Sequence, residues 1–480
     1  MCLTLRISFL MYGILFGQMM AACSEKPMVV IVPSYNNHAW YTKNLDSIFK
    51  QEYSNYRVIY IDDCSSDHTA DLVESYIKEK QQEWRVTLIK NELHMGALYN
   101  HYTAAVSCAN NEIIVQLDGD DWFAHSKVLQ TINEAYQNEK VWLTYGQYET
   151  FPDKKKGIGA FIHPEIIEKN NFREYVWVTT ALRTFYAGLF KQIKLEDLLH
   201  NGLFMQTACD VAFMFPMIEM CGGNFKFIQD VVYIYNQTVC NDFKVNRESQ
   251  LLFDKIIRTK KRYSALEQPP FLIKNQPYSV DLIIFAQNPI NLSRLMSLIN
   301  KHVSGINNIY VMYQADLSNE YAYNILKNIW NEIIFIEVNT ISFKAELIDI
   351  LDNASSEYIS FLDDTFIIND SIDMQRCLFC LKQTHAYCFC FNLGKKAIKN
   401  QRQPPLYKIE HNIYFWQLAR GQDQWLQVHN FMMTLFHKKS VRPLFKKFDF
   451  NNSQDLVNTW AQECIDLNNV ALCHEDIKIS

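Results

Sequence analysis

Asp118-Gly119-Asp120-Asp121 stands directly after an apolar run, Ile113-Ile114-Val115-Gln116-Leu117. Two carboxylates spaced D-x-D at a strand end can face one crevice, and left unpaired they repel and resist desolvation. A divalent cation relieves both penalties. Hard Mg²⁺ or Mn²⁺ takes carboxylate oxygens and keeps coordination positions open for phosphate oxygens. Gly119 lets the backbone turn between the two acids. Asp62-Asp63 follows another apolar run, residues 56–61, in the same way. Either cluster alone reads as acids capping the helix that follows. Two clusters in register, on consecutive open strand ends, favour a ligand site.

The elements that must position these acids follow from periodicity. Residues 28–33 (MVVIVP), 56–61 (YRVIYI), 85–89 and 112–117 read as buried strands. Between and after them, 39–51, 69–82, 96–109 and 126–138 carry apolar residues at helical spacing. Continuous apolar strands joined by helices imply an α/β fold, a mostly parallel sheet with helices on both faces. Ligands bind such sheets beyond the carboxyl ends of the strands, which puts the chemistry after Pro33, Ile61 and Leu117. Further on, 178–193 and 208–221 read as helices and 225–235 (FKFIQDVVYIY) as paired strands. A polar, Pro-containing stretch marks a linker at 264–278. The rhythm then restarts, with strands at 280–286, 308–313, 333–338 and 358–362, so 279–480 reads as a diverged duplicate.

Val30-Ile31-Val32-Pro33-Ser34-Tyr35-Asn36, Ile61-Asp62-Asp63-Cys64-Ser65-Ser66-Asp67 and Leu117-Asp118-Gly119-Asp120-Asp121 together resemble family-2 glycosyltransferases of the GT-A fold. The resemblance covers 28–263. It implies an inverting, metal-dependent transfer from a UDP- or GDP-linked sugar to a carbohydrate or lipid-linked acceptor, with Mn²⁺ or Mg²⁺ as cofactor. It implies that Pro33, Tyr35 and Asn36 line the nucleotide pocket and that Asp63, with Asp62 beside it, contacts the base. Gly96 and Asn100 would sit on the helix that helps hold the diphosphate, and Asp118 and Asp120 would hold the metal. Cys209-Asp210, followed by Glu219 and Gly222-Gly223, resembles the family's Glu-Asp pair, with Cys209 in place of the Glu. Asp210 would then be the general base; its other role would be a helix N-cap. Arg183 and Asn241-Asp242 would face the acceptor or the diphosphate.

In the second half, Gln287-Asn288-Pro289 replaces Pro-Ser-Tyr-Asn, and Asp363-Asp364-Thr365 stands where the D-x-D would be. A GT-A-like unit without its own catalysis is expected there, with a second site on Asp363 and Asp364 as the alternative. Cys377, Cys380, His385, Cys388 and Cys390 cluster closely enough to suggest Zn²⁺, but helix-face and strand-face spacing favours packing as small apolar residues.

Composition excludes other classes. Gly (14) and Pro (12) are each about 3% of 480 residues, against averages of roughly 7% and 5%. Neither G-x-G-x-x-G nor G-x-x-x-x-G-K-[ST] occurs, which removes a Rossmann dinucleotide site and a P-loop. A net charge of −6 without a basic block argues against nucleic-acid binding. Arg6, an apolar run over 7–22 and Ala21-Ala22-Cys23 have the order of a signal peptide, a lipoprotein signal or a membrane anchor within 1–27. A membrane-associated or exported protein is expected, or one anchored facing the cytoplasm. A non-catalytic, surface-attached carbohydrate-binding scaffold is the alternative function.

Overall fold

The computed structural model describes residues 24–239, 246–273, 278–396, 403–410, 412–429 and 433–480. The leader-like segment through Cys23 and the Asn241-Asp242 pair lie outside them. No described helix is long and apolar enough to cross a membrane.

The chain divides into two compact units. One holds 24–193 and 206–273; the other holds 194–205 and the described residues from 278 onward. This differs from a linker spread over 264–278. Residues up to 273 pack into the first unit: the Phe271 ring lies 4.7 Å from that of Tyr186, and Asn110 Nδ2 donates to the Ile273 carbonyl at 2.7 Å. Residues 194–205 pack into the second, where the Phe204 ring meets Tyr407 and Phe415 edge-on.

The first unit opens as β1 (Met28–Ser34), α1 (Tyr41–Phe49), β2 (Tyr56–Asp62), α2 (Thr69–Glu79), β3 (Val86–Lys90), α3 (Ala97–Ser107) and β4 (Ile113–Gln116). β1 is buried along its whole length, as a central strand covered on both faces requires. There follow β5 (Trp122–Phe123), α4 (Val128–Tyr136), β6 (Leu143–Phe151), α5 (Pro164–Glu168), β7 (Arg183–Tyr186) and α6 (Ala187–Phe190). The hairpin β8 (Leu199–His200) and β9 (Leu203–Phe204) belongs to the second unit; α7 (Cys209–Cys221), β10 (Phe225–Asn236) and α8 (Arg247–Thr259) return to the first.

The sheet order is β3-β2-β1-β4-β7-β6-β10-β5. β3, β2, β1 and β4 run parallel; β7 is antiparallel to both β4 and β6, and β10 is parallel to β6. The sheet is therefore mixed, parallel on the side that carries Asp62 and Asp118.

Two segments differ from expectation. Within 178–193 the chain forms β7 rather than one helix, because β4 offers a free edge and Thr184 hydrogen-bonds inward to Thr144 and Tyr136. Residues 225–236 form one strand, not two, with register shifts around Val231. α7 is apolar on all sides and buried from Val211 to Cys221. It is fixed by Glu219, whose two oxygens accept from Arg173 Nε and Nη2 at 2.6 and 2.9 Å with both side chains enclosed.

The second unit's large sheet is built from β11 (Val280–Ala286), β13 (Ile306–Tyr313), β14 (Ile334–Glu337), β15 (Tyr358–Asp363), β17 (Cys388–Gly394), β18 (Tyr407–Glu410), β19 (Ile413–Gln417), β20 (Leu435–His437) and β21 (Val470–His474). Val303–Ser304 (β12) and Ile372–Asp373 (β16) pair separately. Its order, β14-β13-β11-β15-β20-β17-β21-β19-β18, repeats the first unit's succession of parallel and antiparallel neighbours and adds one outer strand. Trp416, Trp425 and Trp460 are fully buried in its core. The cysteines are core residues too. Cys377, Cys380, Cys388 and Cys390 are 0–1% exposed, and no group of three or more metal-ligating side chains occurs among the described residues.

Candidate active site

The parallel strands β1, β2 and β4 end together. Ser34 is level with Asp62, and beyond the last β1–β4 pair the Gly119 N–H donates to the Pro33 carbonyl at 3.1 Å. A Cβ on Gly119 would lie 2.8 Å from Ser34 Oγ and from Asn37 Nδ2, so only glycine passes between these loops.

The four-residue acidic turn is held from two sides. From α1, Asn44 Nδ2 donates to the carbonyls of Asp118 (2.9 Å) and Asp121 (2.8 Å). From β10, the Asn236 N–H donates to Asp121 Oδ1 at 2.7 Å, Asn236 Nδ2 to the Asp120 carbonyl at 3.1 Å, and the Tyr233 hydroxyl to Asp121 Oδ2 at 2.5 Å. Asp121 therefore points inward, 1% exposed, while Asp118 and Asp120 are half-buried. Burial pushes the Asp121 carboxyl well above the usual range, and Asp120 and Asp118 add to it.

These residues fit a divalent cation. The charges acting most strongly on Asp121 are acidic, and the donors at the turn are hard oxygens. No three potential ligands gather as a ready-made cage among the described residues. Two carboxylates would therefore form the protein's share, with phosphate oxygens and water completing the shell.

The Asp62-Asp63 pair separates into two roles. Asp63 Oδ1 accepts from Asn91 Nδ2 (2.7 Å) and the Met95 N–H (2.9 Å), and Oδ2 accepts from the Gly96 N–H (2.8 Å) with His94 Nδ1 at 3.1 Å. Both oxygens organise the 91–96 loop, and the Gly96 N–H is engaged there. Gly96 has φ +88°, caps α3, and would drive a Cβ to 2.9 Å from Gln206 Oε1. Asp62 Oδ2 takes the Ser65 N–H, while its buried Oδ1 has no partner. Asn100 is alike: Oδ1 accepts from Asn91 Nδ2, and buried Nδ2 has none. Unsatisfied buried groups of this kind are what a bound ligand completes. Neither acid caps α2, which starts after His68 without a side-chain cap. Tyr35 is 47% exposed with its ring 4.2 Å from that of His94. Asn36, at φ +55°, accepts the Ser66 N–H and donates its own to Ser65 Oγ, locking the loops after β1 and β2 together.

Arg183 begins β7 opposite Gln116, the last residue of β4. Its Nη2 meets Asp210 Oδ2 at 2.6 Å, and its Nε donates to the Thr179 carbonyl. Asp210 lies in the first turn of α7, whose N-cap is Ala208, and its Oδ1 accepts the Val211 N–H. It is thus ion-paired at the level where β4 ends, not a cap. Glu219 of the same motif is structural. Periodicity and motif reading missed Asn44, Asp121, Tyr233 and Asn236 as site residues. The one local signal was the third acid of the turn; the others come from distant chain positions.

In the second unit, Asp363 is level with Phe285, one residue before the end of β11. That is where Asp118 stands relative to Pro33, so Asp364 occupies the position of Gly119 and Thr365 that of Asp120. Asp364 is fully buried, and its Oδ2 accepts the N–H groups of Gln287 (2.7 Å) and Asn288 (2.6 Å). Asp364 thus carries a carboxylate where the first unit has no side chain; its Oδ2 seats the residues after β11, and its buried Oδ1 has no partner.

Residues 29–195 match the family model described as glycosyl transferase family 2. The chain is 30% identical over 141 residues to an Escherichia coli protein named UDP-Glc:alpha-D-GlcNAc-diphosphoundecaprenol beta-1,3-glucosyltransferase WfgD, covering 29% of this chain and 53% of that protein. It is 25% identical over 218 residues to glycosyltransferase GlyG of Streptococcus pneumoniae, covering 43% and 70%. Among solved structures, a Pyrobaculum calidifontis mannosyltransferase in complex with GDP-Man and Mn²⁺ aligns at 19% identity and a TM-score of 0.34, covering 52% and 67%. The chain spans about half the length of the first of these relatives. The match to glycosyl transferase family 2 thus falls on the N-terminal unit, over about a third of the chain.

Proposed function

We propose that the chain transfers a sugar from a nucleoside-diphosphate sugar to an acceptor hydroxyl, with inversion at the anomeric carbon. One observation carries the reading. The acidic turn and the unsatisfied Asp62 stand at the carboxyl ends of β4 and β2, where open α/β sheets bind ligands, and Arg183, paired with Asp210, is level with the last residue of β4. Asp62 Oδ1, Asn100 Nδ2 and the Tyr35 ring would meet the nucleoside. Asp118 and Asp120 would hold Mn²⁺ or Mg²⁺, which supplies neutralisation of the charge on the departing diphosphate.

Asp210 removes the proton from the acceptor hydroxyl as that oxygen bonds to the anomeric carbon. The bond from that carbon to the phosphate oxygen breaks, and the nucleoside diphosphate leaves with the electron pair. Arg183, hydrogen-bonded to Oδ2, fixes the direction of the carboxylate, whose oxygens each retain a free lone pair. A single displacement assisted by one base inverts the centre and needs no carboxylate nucleophile.

The name of the E. coli relative supports a UDP-linked donor and a lipid-diphosphate-linked acceptor. The apolar run over 7–22 would bring the enzyme to such an acceptor, as an uncleaved anchor with the catalytic unit on the side that holds nucleotide sugars. The second unit has no independent catalysis in this reading, since Thr365 stands where Asp120 would and Asp364 is engaged by the Gln287 and Asn288 N–H groups.

A donor screen with Mn²⁺, reading UDP or GDP release, tests this proposal. Wild type is expected to release UDP, and Asp120→Ala to lose at least about a hundredfold. Failure to bind any nucleotide sugar would overturn the enzyme reading in favour of a carbohydrate-binding scaffold.

A further inference from the structure

We propose that Tyr233 is a positioning residue that sets the side chain of Asp118 for the cation; the inference rests on the function proposed above. Tyr233 is 2% exposed on β10, more than a hundred residues from the turn in sequence. Its hydroxyl lies 2.5 Å from Asp121 Oδ2 and 3.3 Å from Asp118 Oδ2, and the Asp118 N–H approaches the Tyr233 hydroxyl oxygen at 3.5 Å. One phenolic proton thus bridges the buried carboxylate and the half-exposed one. Without it, the two carboxyl groups lose the donor they share, and the orientation of Asp118 is no longer tied to the buried Asp121.

The other contacts to the turn described above fix its backbone and the side chain of Asp121. Asn236 holds the Asp120 carbonyl and Asp121 Oδ1, and Asn44 holds two carbonyls from the other side. The fold therefore divides the work. Asn44 and Asn236 set the path of the turn, Asp121 seats it, and Tyr233 links that buried anchor to the side chain of Asp118. Tyr233 acts as outer-shell partners of metal ligands do, by fixing the orientation of an inner ligand.

The test is Mn²⁺ binding to the full chain in the presence of UDP, read by electron paramagnetic resonance, beside a thermal melt. Tyr233→Phe keeps the ring and removes the hydroxyl. The Mn²⁺ dissociation constant is expected to rise about 10–100-fold, the range for lost outer-shell partners. Asp121→Asn alone and Asp121→Asn with Tyr233→Phe guard against misfolding around a stranded charge. The double variant is expected to bind at least about tenfold more weakly than Asp121→Asn. Equal affinity between Asp121→Asn and the double variant, with wild type binding normally, would overturn the positioning role. Absence of Mn²⁺ and UDP binding in wild type would instead overturn the proposed function on which it rests.

Discussion

Asp210→Asn separates chemistry from structure at the proposed base. In the folded protein Oδ2 accepts from Arg183 at 2.6 Å and Oδ1 accepts the Val211 N–H at 2.9 Å. Asparagine keeps the shape and, with its carbonyl at Oδ1, the bond to Val211; it removes the charge and the ability to take a proton. A positioned general base contributes about 10²–10⁴ in rate, or roughly 2.7–5.5 kcal/mol at 1.36 kcal/mol per decade. The structural cost is smaller. The side chains of Arg183 and Asp210 are 11% and 29% exposed, so the pair is partly screened. Its loss is expected to cost about 1 kcal/mol, near the upper value for exposed pairs. That lowers the melting temperature by about 2–4 °C in a unit of this size. The assay is steady-state UDP release at saturating donor and acceptor, with donor affinity measured separately by calorimetry. The expected result is a fall in kcat of at least a hundredfold with donor affinity preserved within about threefold. Unchanged kcat with intact donor binding would refute the assignment. A raised acceptor KM with unchanged kcat would make Asp210 a binding group instead.

Three further perturbations probe the frame. Gly119→Ala forces a Cβ within 2.8 Å of Ser34 and Asn37, so calorimetry should show donor affinity falling at least tenfold, with an overpacking cost of about 1–3 kcal/mol in a melt. His101 is buried against Gln116, and burial holds its pKa down at about 3 while Arg183 adds to the shift. Its folded pKa lies below the unfolded value of roughly 6.5. The unfolded chain therefore binds the proton first, and this contribution to stability is intact above about pH 6.5 and lost as pH falls toward 3. About 2 kcal/mol should be gone by pH 5, and His101→Gln should flatten that part of a denaturant-monitored pH profile. Asp363→Ala in the second unit should leave UDP release within about twofold of wild type; a hundredfold loss would mean that unit carries its own chemistry.

The strands and helices near the site were legible because each is signalled within its own residues. The fully apolar β1 could only be a covered strand, and the acids after β2 and β4 sit where the rhythm placed them. Reading failed where partners set the outcome. Arg183–Tyr186 became a strand because β4 had an edge to fill, a fact of the assembled sheet. Asp63 is engaged by four donors from the 91–96 loop, partners that its own sequence neighbourhood does not announce. Tyr233 and Asn236 lie in an ordinary apolar strand, and it is the pairing of β10 with β5 and β6 that sets them against the acidic turn.

The passage of residues 194–205 into the second unit has a consequence for how the protein can be taken apart. The backbone moves between units at 193/194, at 205/206 and between 273 and 278, so no single cut separates them cleanly. A fragment ending at 273 would carry Phe204 without Tyr407 and Phe415, leaving an aromatic side chain that is 1% exposed in the intact chain with no cover. A fragment beginning at 278 would lack β8 and β9 altogether. The halves are therefore not modular cassettes: a chimera exchanging one of them must carry the 194–205 hairpin with the C-terminal partner, inserted ahead of α7.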